Sequence, residues 1–378
     1  MKIAHIVRQF FPSVGGLEDY VYNLAKEQID DGHDVSVITL DTDFQTGKGL
    51  APQERYLGLQ ITRLPWRGSR RYPLCWIAPS LLNSHDVVHV HAVDYFIDYL
   101  SMLKRLGVLT SKLVLSTHGG FFHTTRNKRL KELYFNTVTR FTLSRLDAVV
   151  CNSSNDLKLF EKICPSATLI NNAIRVRKFG GQTPAVLTDD MVYLGRLSEN
   201  KRLPWLIRQF AALDHPPGRL PGRLPGRLKV IAQSKTGDAD QLAQLIARLG
   251  CADRVLLLLD LDIEAIADHI TAARFTVSAS EYEGFGLSVV ELMSYGLVPL
   301  LAQEPLTFND FVEQSGAGKL FNVTDDSFAR HYSTLINEWS PLQANRAREY
   351  AKNFSWKATA AEMNNVYKST FEDSLRAY

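Results

Sequence analysis

Short apolar runs recurring between amphipathic helical stretches constrain this chain more than any other feature. KIAHIV at 2–7, HDVSVITL at 33–40, DVVHVH at 86–91, LVLSTH at 113–118 and AVVCNS at 148–153 are strand-length and apolar. The segments between them read as helices, LEDYVYNLAKEQIDD closed by Gly32 being the clearest. Strands of this kind alternating with helices belong to a parallel sheet covered on both faces. The pattern pauses over NNAIRVRKFGGQTPAVLTDD (171–190), which carries Gly and Pro but no core periodicity and is read as a linker. It restarts with MVYLG, LKVIAQ, RVLLLL, RFTVSAS and VPLLA, a second doubly wound domain. The expected division is 1–180 and 181–356, with a C-terminal helix, 357–378, returning to the first domain.

A chain of 378 residues can bury two such cores. Its 45% apolar and 22% charged residues are those of a globular protein. No apolar run approaches the ~20 residues of a transmembrane helix, and the opening MKIAHIVRQFFPSVGG reads as a strand rather than a signal-peptide core. Cys75, Cys151, Cys164 and Cys251 show no CxxC spacing, so neither a zinc site nor a disulfide framework is expected, and a reducing cytoplasm is. Charge is uneven: residues 1–180 hold 23 Lys/Arg against 16 Asp/Glu, residues 181–378 hold 20 against 24. That asymmetry suggests a first half that meets a phosphate-bearing lipid or bilayer surface, chance being the alternative; nucleic acid is not expected.

The stretch SASEYEGFGLSVVELMSYGLVPLLA (278–302) places Glu283 and Glu291 on either side of a Gly-Phe-Gly hinge. RFTVSAS and GLVPLLA are buried strands, with a helix from about 288 to 295 capped by Gly296. Glu283 then lies in the turn above a strand's carboxyl end, where open α/β sheets bind ligands. Carboxylates accept hydrogen bonds from vicinal hydroxyls, Gly284 and Gly286 let backbone approach a ligand, and amides at a helix start suit phosphate oxygens. In MVYLGRLSENKRLPWLI, Arg196 and Lys201 follow another strand; together they can neutralise a diphosphate without metal, surface cations being the alternative.

GR…K at 195–201 followed by EGFGLSVVE at 283–291 resembles the donor site of the retaining glycosyltransferases of family 4. The resemblance implies the α/β GT-B fold, two doubly wound Rossmann-like domains facing across a cleft, the first binding acceptor and the second the nucleotide sugar. LPWRGSRRYPL (64–74), HDVVHVH (85–91) and LSTHGGFFHT (115–124) are similar to stretches of its mannosyltransferases that extend cellobiosyl-diphosphopolyprenol. By that resemblance Glu283 lies beside the transferred sugar, with Phe285, Gly286 and Leu287 lining the donor and Glu291 on the ribose. Arg196 and Lys201 take the diphosphate, Gly15 and Gly16 approach the donor phosphate, and His118 contacts the sugar. His89, His91 and His123 are assigned to the acceptor. The activity implied is retaining transfer of mannose from GDP-mannose to a lipid-linked disaccharide with an α-1,3 linkage, in exopolysaccharide assembly at the cytoplasmic face of the inner membrane. No metal or other cofactor is implied, and a UDP-sugar donor is the alternative. Two positions depart from the pattern: Arg202 stands where the family usually has glycine, and LKVIAQSKTGD lacks the usual glycine-rich turn.

Other features weigh less. His89 and His91 share a strand face and are read as acceptor-cleft lining ahead of structural packing, with a metal site least expected. Asp41-x-Asp43 and Asp260-x-Asp262 are read as strand-end caps rather than metal motifs. RNKRLKELYFNTVTRFTLSRL (126–146) is a basic amphipathic helix that suits an anionic bilayer surface or, alternatively, the sheet. PGRLPGRLPGRL (217–228) is a surface excursion. A nicotinamide oxidoreductase would carry G-x-G-x-x-G after the first strand, where only Gly15-Gly16 stands; a non-catalytic nucleotide-binding module is the further alternative.

Overall fold

The computed structural model describes all residues except 14, 71, 120–127, 183–185, 214–225 and 377–378. The chain forms two compact units, Met1–Ala173 with Trp356–Tyr378, and Ile174–Ser355. The first boundary is therefore 173/174 rather than 180/181, and the second 355/356 rather than 356/357. Packing decides this: the Ile174 amide donates to the Phe354 carbonyl at 2.7 Å, and Ile174 is buried with Phe285 and Phe354. Trp356 instead joins the core of the first unit.

In the first unit, eight strands form one sheet: β1 (Lys2–Ile6), β2 (Asp34–Leu40), β3 (Gln53–Tyr56), β4 (Leu59–Leu64), β7 (Val87–His91), β8 (Lys112–Ser116), β9 (Ala148–Cys151) and β10 (Thr168–Leu169). Its order is β10-β9-β8-β7-β1-β2-β4-β3, with only the β3–β4 pair antiparallel. β5 (Trp66–Ser69) and β6 (Tyr72–Cys75) make a separate hairpin. Strand order turns back on itself between β1 and β7, the switch point at which α/β sheets open a crevice. The apolar runs mark the central strands because these are buried on both faces; every residue of β7 is buried, two histidines included. The C-terminal helix, Trp356–Arg376, packs on the first helix, Gly16–Asp30: Met363 and Tyr367 meet Tyr20, Val21 and Leu24 in one core cluster. Where one amphipathic helix was expected over 126–146, Lys128–Tyr134 and Arg140–Leu143 are α-helical and Phe135–Thr139 is a π-helical turn.

The second unit has six parallel strands: β11 (Thr188–Leu194), β12 (Leu228–Ala232), β13 (Val255–Leu259), β14 (Ala273–Ser278), β15 (Val298–Ala302) and β16 (Lys319–Phe321). Their order is β13-β12-β11-β14-β15-β16, the Rossmann order, with its switch point between β11 and β14. Phe275 of β14 and Val298 and Leu300 of β15 are fully buried, and truncating such a phenylalanine to alanine costs roughly 3–5 kcal/mol.

Candidate active site

At the switch point of the second unit, β11 is followed by Gly195 and Arg196, and β14 runs into Ser280–Glu283. Between Arg196 and the helix Leu203–Ala211, a 3-10 turn at Glu199–Lys201 is stapled to the loop after β14. Glu281 N donates to Asn200 O at 2.9 Å, and Asn200 Nδ2 donates to Tyr282 O at 3.1 Å. The staple sets Lys201 Nζ 2.5 Å from Glu283 Oε1, which also accepts from Ser280 Oγ at 2.7 Å. Both side chains of this ion pair are about nine-tenths buried, with 11% and 14% exposed. A cation and a carboxylate therefore meet at one point, although their positions are 82 residues apart in sequence.

Arg202 has φ 50°, the left-handed conformation glycine adopts without strain. Its guanidinium bonds Glu304 at 2.6 Å and approaches Glu281 at 3.7 Å. Glycine's usual place in the pattern is thus explained by backbone geometry, and these pairs offset part of the strain at the arginine.

Gly286, at φ 99°, precedes the helix Leu287–Met293, and a Cβ there would come within 3.0 Å of Phe308 and 3.2 Å of Phe311. The helix is seven residues long, starting one residue before the expected element and ending two residues short of it, and Gly296 follows at φ 89°. No side chain caps its start. Phe285 is buried among Phe308, Phe311 and Phe354, which leaves its backbone as the part suited to a ligand, whereas Leu287 is exposed. Glu291 is paired with Lys178 at 3.1 Å, a partner from the segment read as linker. Arg196 lines a pocket of about 230 Å³ with Gly195, Gln233, Asp260 and Leu261, over the ends of β11, β12 and β13. Hydrogen bonds from Ser234 hold the Asp260 carboxyl below its ordinary range, so it remains an acceptor. Asp43 accepts from Gln45 N and Thr46 Oγ1, and Asp262 from Ala265 N, as turn and helix caps.

In the first unit, Gly15 and Gly16 follow β1 and open the first helix. A Cβ on Gly16 would meet nothing within 4 Å, whereas one on Gly15 would collide with the Glu18 carboxylate. His118 follows β8 at φ 48° and Ala92 follows β7 at φ 82°. Two non-glycine residues in the left-handed region at the carboxyl ends of neighbouring strands carry backbone strain of the kind that clusters at functional sites. Asn152 Oδ1 accepts from His118 N at 3.1 Å, and Tyr20 meets its ring edge-on at 4.6 Å. Burial pushes the half-buried His118 imidazole down to about 3.

Behind His118 runs a polar array that sequence reasoning missed. His118 Nε2 lies 3.1 Å from His91 Nδ1, His91 Nε2 lies 2.9 Å from His5 Nδ1, and His5 Nε2 lies 2.8 Å from Gln28 Oε1. His89 spans Tyr367 Oη at 2.6 Å and Ser116 Oγ at 2.9 Å. His89 and His91 are fully buried, so they do not line an acceptor cleft; their strand is covered on both faces. His123 lies outside the described residues. Among the described residues, His5, His89 and His91 are the one group of ligand-type side chains close enough for a metal ion. Every ring nitrogen of the three already has a hydrogen-bond partner, so a polar core accounts for them. Burial pushes His5 down to about 4 and His89 and His91 well below their ordinary value.

Asp94, three positions after β7, was also missed; an acidic residue opening a helix after a strand was its signal. It is buried, bonds Arg8 at 3.1 Å and accepts from Phe96 N at 3.0 Å, and burial raises it to about 7.

The family model of Glycosyltransferase Family 4 matches residues 14–178, and that of Glycosyl transferases group 1 matches residues 187–354. A GDP-mannose:cellobiosyl-diphosphopolyprenol alpha-mannosyltransferase of Xanthomonas campestris is 39% identical over 333 residues, spanning 85% of this chain and 83% of its own. The chain belongs to glycosyltransferase family 4. A protein of the same name from Komagataeibacter xylinus is 32% identical to this family 4 enzyme, spanning 99% of this chain and 95% of its own. Among solved structures, a sucrose-phosphate synthase from Thermosynechococcus elongatus superposes with a TM-score of 0.69 at 19% identity, over 98% of this chain and 99% of that one. A lipopolysaccharide outer core galactosyltransferase in its apo form gives 0.71 at 16% identity, over 98% and 99%. The family 4 enzyme therefore has the GT-B fold, built from two Rossmann-like domains, and is a glycosyltransferase.

Proposed function

We propose that this enzyme transfers mannose from GDP-mannose to a cellobiosyl-diphosphopolyprenol, with retention and an α-1,3 linkage, in acetan- or xanthan-type exopolysaccharide assembly. The observation that carries the reading is the Lys201–Glu283 pair at the β11/β14 switch point, in a chain 39% and 32% identical to mannosyltransferases named for that donor and acceptor. Lys201 and Arg196 hold the diphosphate, and Glu283 with the Phe285 and Gly286 amides binds the mannosyl hydroxyls. Leu287 borders the donor, Glu291 accepts from the ribose, and Gly15 and Gly16 admit the donor phosphate. The donor edge of guanine, N1–H and the 2-amino group, suits the acceptor Asp260 at the rim of the Arg196 pocket.

Two cations in place of a metal make the transfer metal-independent. Asp94, the carboxylate after β7, is engaged by Arg8 and a helix cap, which argues against a glycosyl-enzyme. The acceptor hydroxyl attacks the anomeric carbon on the face the diphosphate leaves, the C1–O bond to phosphate breaks, and a donor phosphate oxygen takes the hydroxyl proton. His118 meets the transferred sugar and acts by positioning.

No described helix is long and apolar enough to cross a membrane. Leu133, Val138 and Phe141 are exposed in the basic segment that holds Arg129 and Arg140, which suits peripheral contact with the cytoplasmic face of the inner membrane. Labelled GDP-mannose incubated with the lipid-linked disaccharide and EDTA tests the reading. An α-anomeric product by proton NMR is expected. A β-linked product would overturn retention, and activity that requires added Mg²⁺ would overturn metal independence.

A further inference from the structure

The array behind His118 has a direction, and it can be traced from its far end. Asn364 Nδ2 donates to Asp31 Oδ2 at 3.0 Å, and an ionised carboxylate only accepts. Asn364 must therefore turn its Oδ1 toward Gln28, whose Nε2 donates to it at 3.3 Å. That presents Gln28 Oε1 to His5, so His5 carries its proton on Nε2. A neutral imidazole with Nε2–H accepts at Nδ1, so His91 Nε2 must be the donor to His5. By the same step His118 Nε2 must donate to His91 Nδ1. His118 is then the Nε2–H tautomer, and its Nδ1 carries a lone pair.

A side branch agrees. Gln28 Nε2 also donates to Tyr367 Oη at 3.4 Å, which frees the phenol proton for His89 Nδ1, and His89 Nε2–H then donates to Ser116. Every bond in the array could be made in the opposite sense except the first, because both amides and all the imidazoles are two-faced and a carboxylate is not. Asp31 is thus the element that breaks the degeneracy. It is the exposed C-cap of the first helix, where the helix dipole disfavours negative charge, so helix stability does not account for an acid there.

We propose that Asp31, acting through Asn364, Gln28, His5 and His91, is a positioning residue that fixes the His118 tautomer so that Nδ1 accepts a hydrogen bond from a hydroxyl of the transferred sugar. The proposal deepens the reading of His118 as the residue that meets that sugar, and rests on it. The burial that keeps these imidazoles neutral keeps the array unambiguous, since a protonated ring would donate from both nitrogens. Between Asp31 and His5 the array runs through two amides, Asn364 and Gln28, which cannot pass a proton on, so its task is orientation and not proton removal.

The test needs no substrate at first. Long-range ¹⁵N–¹H correlation spectra of the full-length, histidine-labelled protein at neutral pH are expected to show His5, His91 and His118 protonated at Nε2 and bare at Nδ1. Asp31→Lys replaces an acceptor by a donor at an exposed site, and is expected to move His118 toward the Nδ1–H form. It should also lower kcat by about 10-fold, the worth of one hydrogen bond, at an unchanged donor KM. Asp31→Glu keeps the acceptor and should retain both the tautomer and kcat. Gln28→Met, which cuts the array, should mix the tautomers and lower kcat likewise. A wild-type His118 protonated at Nδ1, or a tautomer indifferent to Asp31→Lys, would overturn the array. A tautomer that follows Asp31 while kcat does not would leave the array standing and overturn the role of His118 at the sugar.

Discussion

Replacing Lys201 with alanine tests the donor site most directly, because one side chain there has two separable tasks. The ammonium lies 2.5 Å from Glu283, and both groups are about nine-tenths buried. Losing one partner of a buried pair costs 3–5 kcal/mol; the residual exposure and the Ser280 bond to Glu283 reduce this to about 2 kcal/mol, or about 4–8 °C in the melting temperature of a domain this size. The catalytic loss is larger. An ammonium about 3 Å from a phosphate oxygen gains roughly 5–6 kcal/mol at an effective dielectric constant of 20. Part of that is already spent on Glu283, and removing one such donor typically lowers kcat by about 10²–10³, or roughly 3–4 kcal/mol. Steady-state kinetics with labelled GDP-mannose measure kcat and KM, and calorimetry measures the melting temperature. The double variant Lys201→Ala/Glu283→Ala separates the tasks: it should regain most of the thermal loss and none of the rate. A Lys201→Ala enzyme within about threefold of wild-type kcat would refute the charge-stabilising role.

Glu291→Ala removes a contact common to ground and transition states, so donor KM should rise with kcat nearly unchanged; a fall in kcat at constant KM would contradict the assignment to ribose. Arg202→Gly relieves a left-handed backbone worth about 1–2 kcal/mol and loses exposed pairs worth about 0.2–1 kcal/mol, so calorimetry should show a small gain in stability, and a clear loss would disprove the strain. His5, His89 and His91 are fully buried with lowered values, so below pH 6.5 the unfolded chain binds protons that the folded one does not. Stability of the first unit should then fall on acidification from pH 6.5 toward about 4, by up to about 1.4 kcal/mol per pH unit for each histidine; denaturant midpoints equal at pH 7 and pH 5 would exclude it.

The sequence alone determined what is local. β1, β7, β8, β11, β14 and β15 are legible because a strand buried on both faces must be apolar throughout, and EGFG is legible because hinge, acid and helix start lie within a few residues. β3, β5 and β6 escaped, being four residues long and at least half exposed, with no apolar run to mark them. Tertiary structure decided what depends on distant partners. It set Lys201 on Glu283 through a staple between two loops, assigned residues 174–180 to the second unit, and gave Glu291 to Lys178. It also moved His89 and His91 from an expected cleft into a polar core that Asn364 and Tyr367 complete from the far end of the chain. A histidine on an apolar strand looks the same in sequence whether its nitrogens face a ligand or another side chain, and only the fold supplies the second atom of each hydrogen bond.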